Sequence, residues 1–312
     1  MRLYELYDLF HEELASVALE SRRILSTGDA GFTEVIDRLL AARGKGVRPL
    51  VLLLFSRRKG GMHPDAPCYA ACVELLHTAS LLQDDFLDNA ALRRNRLPLY
   101  REIGNRSAVL AADFVSVRVF SEIETQENAR ILRTFLQFTA AMVEGEIAQS
   151  LAHARGQVPT REQYFGFIEK KTASLFMAAA RTGGVLSRFS DDEIAHADRF
   201  GRVFGTAFQI LDDITDLDDR SGLCTLPIIH HLENGGEAEA VQSMLQEGDM
   251  AALKTRLLKT GSIRFSAGYA EKKLEEAHAL AESLLPRTDA FYLKAIGDEL
   301  MMNIKQGASY AF

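Results

Sequence analysis

The sequence is poor in cysteine and carries no excess of positive charge, and each shortage closes off a class of protein. Cys68, Cys72 and Cys224 are the three cysteines in 312 residues. They lack the spacing of a disulfide framework and have no second pair to complete a zinc site. Cys68 and Cys72 stand four apart, so one helix face can hold both. Buried small apolar side chains in a reducing, cytoplasmic setting are the expectation. A net charge of −7 argues against a general nucleic-acid binder, which carries a basic excess. No apolar run approaches the ~18–20 residues of a membrane span; the longest strong one is "PLVLLLF". The start, "MRLYELYDLFHEEL", is too acidic and too interrupted for a signal peptide. Alternating β-branched runs joined by Asn-Gly or Asp-Gly are essentially missing, so strands are not expected. There is no GxxxxGK[ST] loop and no nucleophile-elbow pattern. These absences disfavour a P-loop nucleotide enzyme and an elbow-type hydrolase.

What is present is helical periodicity. Apolar content of 47% and charged content of 25% describe an ordinary soluble globular protein, long enough for one large domain or two. Leu3, Leu6, Tyr7, Phe10, Leu14, Val17 and Ile24 repeat at the spacing of an amphipathic helix. Capping boxes mark helix starts at Thr160 with Gln163 and at Ser190 with Glu193. Breaks are expected at "STGDAG", "RKGGMHPDAP", "ARGQVP", "RTGG" and "ENGG". No linker is long enough to divide the chain, so residues 1–312 read as a single all-α domain of roughly ten or more helices.

Two segments carry chemistry. Residues 84–88 read "DDFLD" and residues 212–216 read "DDITD", each closing an apolar helical run. On a helix, Asp84 and Asp88 share a face one turn apart, as do Asp212 and Asp216. Like charges at that spacing destabilise a helix by roughly 0.2–0.5 kcal/mol per pair. Asp85 and Asp213 add a third carboxylate to each cluster. One such cluster is also what an acidic surface helix looks like; two copies with identical spacing point to metal binding. Oxygen-only ligands at this density suit Mg²⁺, which binds through a few carboxylates plus water and substrate phosphates.

Cationic residues accompany them. Arg93 and Arg94 follow the first cluster, Lys45 and Arg48 stand three apart in "GKGVRP", and "EKKTASLF" supplies Lys170, Lys171 and Thr172. His77 lies two turns before Asp84. Any one of these is more often part of a solvated face than a ligand; as a set they are donors fitted to diphosphate oxygens. Carboxylates for metal and separate cations for phosphate imply two polyanionic ligands.

These segments together resemble the trans-prenyl diphosphate synthases, the polyprenyl synthetase family. The matching stretches are "GKGVRP", "ELLHTASLLQDDFLD", "LRRNRLP", "KKTASLF" and "FQILDDITD", with "AVLAADF" and "VEGEIAQ" in order between them. The resemblance spans essentially everything from about residue 40, and it is closest in pattern to medium- and long-chain members. It implies an all-α bundle around a deep central cavity, usually a homodimer. It also implies head-to-tail condensation of an allylic diphosphate with isopentenyl diphosphate. Carried over by position, Asp84, Asp88 and Asp212 match Mg²⁺ ligands, with Asp85, Asp213 and Asp216 supporting. Lys45, Arg48, His77 and Arg94 match the isopentenyl diphosphate site. Arg93, Lys171, Thr172 and Gln209 match the allylic site. Ala79 and Ser80 stand where bulky aromatics stop chain growth in short-chain members, and the first motif lacks the two-residue insertion of bacterial short-chain enzymes. The resemblance therefore implies a product longer than fifteen carbons, unless another large side chain such as Phe120 or Met142 floors the tunnel.

The second region departs from the family pattern. Its loop is cut to "LDDRSG", and Leu223 in "GLCTLP" replaces the usual lysine. Gln83 replaces a common His, Asn95 a common Gly, and the ending "NIKQGASYAF" lacks the arginine-rich tail. Three readings follow: an active synthase with a simplified lid, a subunit that needs a partner chain in a heterodimer, or a terpene cyclase. The cyclase is disfavoured by Lys45, Arg48 and His77, which would serve a second diphosphate.

Overall fold

A computed structural model of the chain describes residues 2–41, 46–58, 61–87, 97–155, 158–218 and 225–307. The helices of the first half are α1 (Leu3–Leu9), α2 (His11–Leu25), α3 (Ala30–Ala41), α4 (Val47–Phe55), α5 (Ala66–Leu87), α6 (Leu99–Ile103), α7 (Asn105–Thr125) and α8 (Ala129–Ala154). Those of the second half are α9 (Arg161–Ile168), α10 (Ser174–Leu186), α11 (Asp191–Thr215), α12 (Leu226–Glu233), α13 (Ala238–Glu247), α14 (Met250–Lys259), α15 (Ser262–Leu284) and α16 (Arg287–Gly307). A π-helical turn, Glu169–Ala173, joins α9 to α10, and a 3₁₀ turn, Asp216–Asp218, follows α11. The all-α expectation holds apart from one two-residue antiparallel pair, β1 (Arg57–Arg58) with β2 (Gly61–Met62). Among the described residues no helix is long and apolar enough to cross a membrane.

The contacts divide the chain into two compact units. One comprises residues 4–139 and 178–194, and its centre is α5, which packs on α2, α4 and α7. All nine residues of α4, "VRPLVLLLF", are buried, Arg48 among them; the run 49–55 is apolar on every side and must be enclosed. Each Leu or Phe so enclosed contributes roughly 1.5–3 kcal/mol of transfer free energy. Cys68 and Cys72 are free thiols buried in α5, matching the sequence reading. Arg23 donates to Glu122 at 2.7 and 3.0 Å, tying α2 to α7.

The other unit comprises residues 1–3, 140–177 and 195–312, in which α15 packs on α12, α14 and α16. Both expected capping boxes form: here Gln163 N donates to Thr160 Oγ1 at 3.2 Å, and in the first unit Glu193 N donates to Ser190 Oγ at 3.3 Å.

Two local expectations need correction. The first periodic run is two helices, α1 and α2, because Phe10 leaves helical geometry at φ −105°, ψ 22° while its ring stays buried. "RTGG" is no break at all. Arg181–Gly184 lies inside α10, and a Cβ on Gly183 would sit 2.6 Å from Leu52 O and Phe55 Cβ. That glycine permits close packing where the sequence suggested a turn.

Candidate active site

Helix α5 carries the first motif. His77, Ala79, Ser80, Asp84 and Asp85 all lie on it, with Asp85 buried and Asp84 half-buried near the C-terminal end. The Ser80 hydroxyl donates to the His77 carbonyl at 2.9 Å, which holds it along the helix backbone. Ala79 is 4% exposed. Arg48 is buried in the first turn of α4, directly after Gly46, which adopts the left-handed conformation (φ 55°) at the N-cap. Lys45, Asp88, Arg93 and Arg94 lie outside the described residues.

The second motif ends α11. Asp212 and Asp213 are helical, whereas Asp216 begins the 3₁₀ turn. The pair Asp212–Asp216 is thus not on one regular α-helical face as expected; the last turn tightens where helical carbonyls run out of partners. Asp213 is held by two side-chain donors. Tyr164 donates its hydroxyl to Oδ2 at 2.5 Å, and Gln209 Nε2 donates to Oδ1 at 2.7 Å. Thr172 in turn donates to Gln209 Oε1 at 2.6 Å. Thr172, Gln209 and Asp213, expected from the sequence, are therefore one hydrogen-bonded chain. Asp213 is half-buried as a residue, yet its carboxyl is enclosed, and that burial pushes its pKa up to about 7. The two donors oppose the rise, and the Asp212 and Asp216 charges add to it. Burial, and then the Asp213 charge, likewise raises the Tyr164 phenol well above its ordinary range.

Lys171 and Thr172 sit on the π turn rather than at a simple helix start. One extra residue per turn re-aims the side chains, a distortion frequent at functional sites. Glu146 Oε2 lies 2.6 Å from Lys171 Nζ, and Gln149 Oε1 accepts from it at 3.4 Å. Both come from α8, which approaches closely because Gly145 has no side chain: a Cβ there would be 2.6 Å from the Lys171 backbone nitrogen.

Among the described residues no three His, Cys, Asp or Glu side chains gather to hold an ion by themselves. Taken separately, each motif nonetheless offers the oxygen-only carboxylates that suit a hard divalent cation completing its shell with water and phosphate oxygens. Asp84, Asp212 and Asp216 keep solvent access and offer oxygen only.

The polyprenyl synthetase family model matches residues 29–259. The chain belongs to the polyprenyl synthetase family. This polyprenyl synthetase is 28% identical to the octaprenyl diphosphate synthase of Escherichia coli (strain K12), over 92% of this chain and 94% of that one. It is 28% identical to the heptaprenyl diphosphate synthase component 2 of Geobacillus stearothermophilus, over 91% of this chain and 93% of that one. Among solved structures it is similar to a decaprenyl diphosphate synthase from Rhodobacter capsulatus, with TM-score 0.88 and 28% identity over 97% of this chain and 99% of that one. Family membership makes the polyprenyl synthetase a trans-prenyltransferase.

Three of its residues escaped the sequence reading. Glu146 and Gln149 lay inside the quoted segment "VEGEIAQ" without an assigned role. Tyr164 drew no assignment from the sequence. Its one signal is that a buried tyrosine needs a partner for its hydroxyl, and it falls two helical turns before Lys171.

Proposed function

We propose that the protein is a Mg²⁺-dependent synthase that condenses an allylic diphosphate with isopentenyl diphosphate, head to tail and in trans geometry, giving a product longer than farnesyl diphosphate. The observation that carries the reading is the hydrogen-bonded chain Thr172–Gln209–Asp213, which links allylic-site residues to the second aspartate motif. Asp84, Asp88 and Asp212 are the ligands for Mg²⁺, with Asp85, Asp213 and Asp216 supporting them. When bound, the metal offsets the negative charge that builds on the departing diphosphate. Lys171 and Arg93 add positive charge on the allylic diphosphate. The Glu146 carboxylate restrains the Lys171 ammonium, so less side-chain freedom is lost on binding. Lys45, Arg48, His77 and Arg94 bind isopentenyl diphosphate. The allylic C–O bond breaks with its electron pair leaving on the diphosphate, and the isopentenyl double bond attacks the resulting carbocation. A proton then passes to the released pyrophosphate, so no side-chain base is assigned. Small Ala79 and Ser80 leave room for a long chain, and apolar walls keep water from the cation.

The chain works as one domain in the cytoplasm, a setting supported by two buried free thiols. A homodimer is the assembly, supported by an exposed apolar stripe on α8: Val143, Ile147 and Leu151 are 45–55% exposed at successive i, i+4 positions. The name of the Geobacillus relative, a "component 2", favours a second reading, a subunit that needs a partner chain. Two measurements separate these readings. The purified chain alone should incorporate labelled isopentenyl diphosphate and lose that activity on chelation, and Asp84→Ala or Asp212→Ala should be inactive. An inactive wild-type chain that gains activity from a partner would select the subunit reading.

A further inference from the structure

Tyr164 has no role in the chemistry described so far, yet it is 2% exposed and its hydroxyl donates to Asp213 Oδ2 at 2.5 Å. The helix that carries the tyrosine is fixed independently of Asp213. This helix, α9, is closed at the N-terminus by the Thr160–Gln163 capping box. Arg161, one turn before it, pairs with Glu233 at the far end of α12 and stacks over the Phe265 ring at 4.9 Å. His230 of α12 stacks on that same ring at 4.0 Å and meets Ser262 Oγ at 3.0 Å. Helix α9 is thus fastened to α12 through Arg161 and Glu233, and both are fastened to α15 through Phe265. The phenol is a strut between the braced helix α9 and the central carboxylate of the second aspartate motif.

We propose that Tyr164 is a positioning residue for metal binding: by fixing Asp213 it sets the end of α11 so that Asp212 and Asp216 present their oxygens to a divalent cation. This deepens the proposed function and rests on its assignment of the second motif. The physical reason is that a metal-site carboxylate is held by the groups that hydrogen-bond it and its neighbours. Losing such an outer partner typically costs about 10–100-fold in metal affinity or activity. Without the hydroxyl, Asp213 keeps only Gln209 and can rotate, carrying the last turn of α11 with it.

The test uses the full chain as wild type, Tyr164→Phe, Asp213→Asn and the double variant. Phenylalanine keeps the ring, so only the hydroxyl is lost; Asp213→Asn probes the same contact from the other side if the first variant folds poorly. Mn²⁺ binding is followed by electron paramagnetic resonance with inorganic pyrophosphate present, and Mg²⁺ half-saturation of prenyl transfer is measured alongside. Tyr164→Phe should weaken Mn²⁺ binding and raise the Mg²⁺ requirement by about 10–100-fold, with the KM for isopentenyl diphosphate unchanged. The double variant should be no worse than the weaker single. Mn²⁺ binding within about twofold of wild type, or fully multiplicative effects in the double variant, would overturn the proposal. A wild-type chain that transfers no prenyl group refutes the proposed function instead, while the Mn²⁺ titration still decides the role of Tyr164.

Discussion

Placing one methyl group at Gly145 tests whether the π turn must sit where it does. In Gly145→Ala the new Cβ would lie 2.6 Å from both Lys170 Cβ and the Lys171 backbone nitrogen. Non-bonded carbons settle at about 3.5–4.0 Å, so α8 and the π turn would have to part by about 1 Å. Neither neighbour is the far end of a flexible side chain, so the strain falls on the backbone that presents Lys171 and Thr172. Overpacking of this kind costs about 1–3 kcal/mol, and the better helix propensity of alanine offsets about 1 kcal/mol of it. The net loss of stability is therefore small, on the order of 1 kcal/mol, and should lower Tm by about 2–4 °C. The effect on catalysis should be larger, because a displacement of about 1 Å from productive geometry can cost on the order of 100-fold. Gly166→Ala is the internal control: α9 offers nothing within 4 Å of its added Cβ. That variant should gain about 0.5–1 kcal/mol and keep its rate. Calorimetry and initial rates of labelled isopentenyl diphosphate incorporation read both quantities. A Gly145→Ala protein that matches Gly166→Ala in stability and rate would refute the reasoning.

Other consequences are as direct. Ala79→Phe fills a site that is 4% exposed and should shorten the longest product, as read by chromatography of the dephosphorylated alcohols. Hydrogen bonds from Arg23, with smaller help from Cys68 and Gln126, hold the Glu122 carboxyl below its usual range. A carboxylate whose folded pKa is depressed adds stability above its unfolded value and loses it as pH falls through the folded one. Glu122→Gln should therefore be less stable at neutral pH and show a flatter acid limb below about pH 4.5 in denaturant melts. Gly183→Ala, whose Cβ would meet Leu52 O and Phe55 Cβ at 2.6 Å, should destabilise the chain more than any change at the open position Gly166.

Much of the fold was legible because its signals are local. Both capping boxes are carried by residues three apart, and the burial of α4 over residues 49–55 follows from a run with no polar break. The aspartate motifs were legible because carboxylates crowded at the end of an apolar helix are expensive without a function. What escaped depends on contacts distant in sequence. "RTGG" looks like a turn until Phe55, more than a hundred residues earlier, is seen to need the space. The π turn at Glu169–Ala173 has no local sequence signature, and α8, which packs against it at Gly145, lies more than twenty residues earlier. Tyr164 was invisible because its partner, Asp213, is 49 positions away. The helix break at Phe10 shows the converse: periodicity places the buried side chains correctly without revealing that the backbone between them changes course.

The central claim is tested most directly by sizing products. Purified protein is incubated with Mg²⁺, labelled isopentenyl diphosphate and allylic primers of five to fifteen carbons. The account expects a metal-dependent ladder extending beyond fifteen carbons, absent in Asp84→Ala. Farnesyl diphosphate as the sole product, or undiminished synthesis by Asp84→Ala, would contradict it.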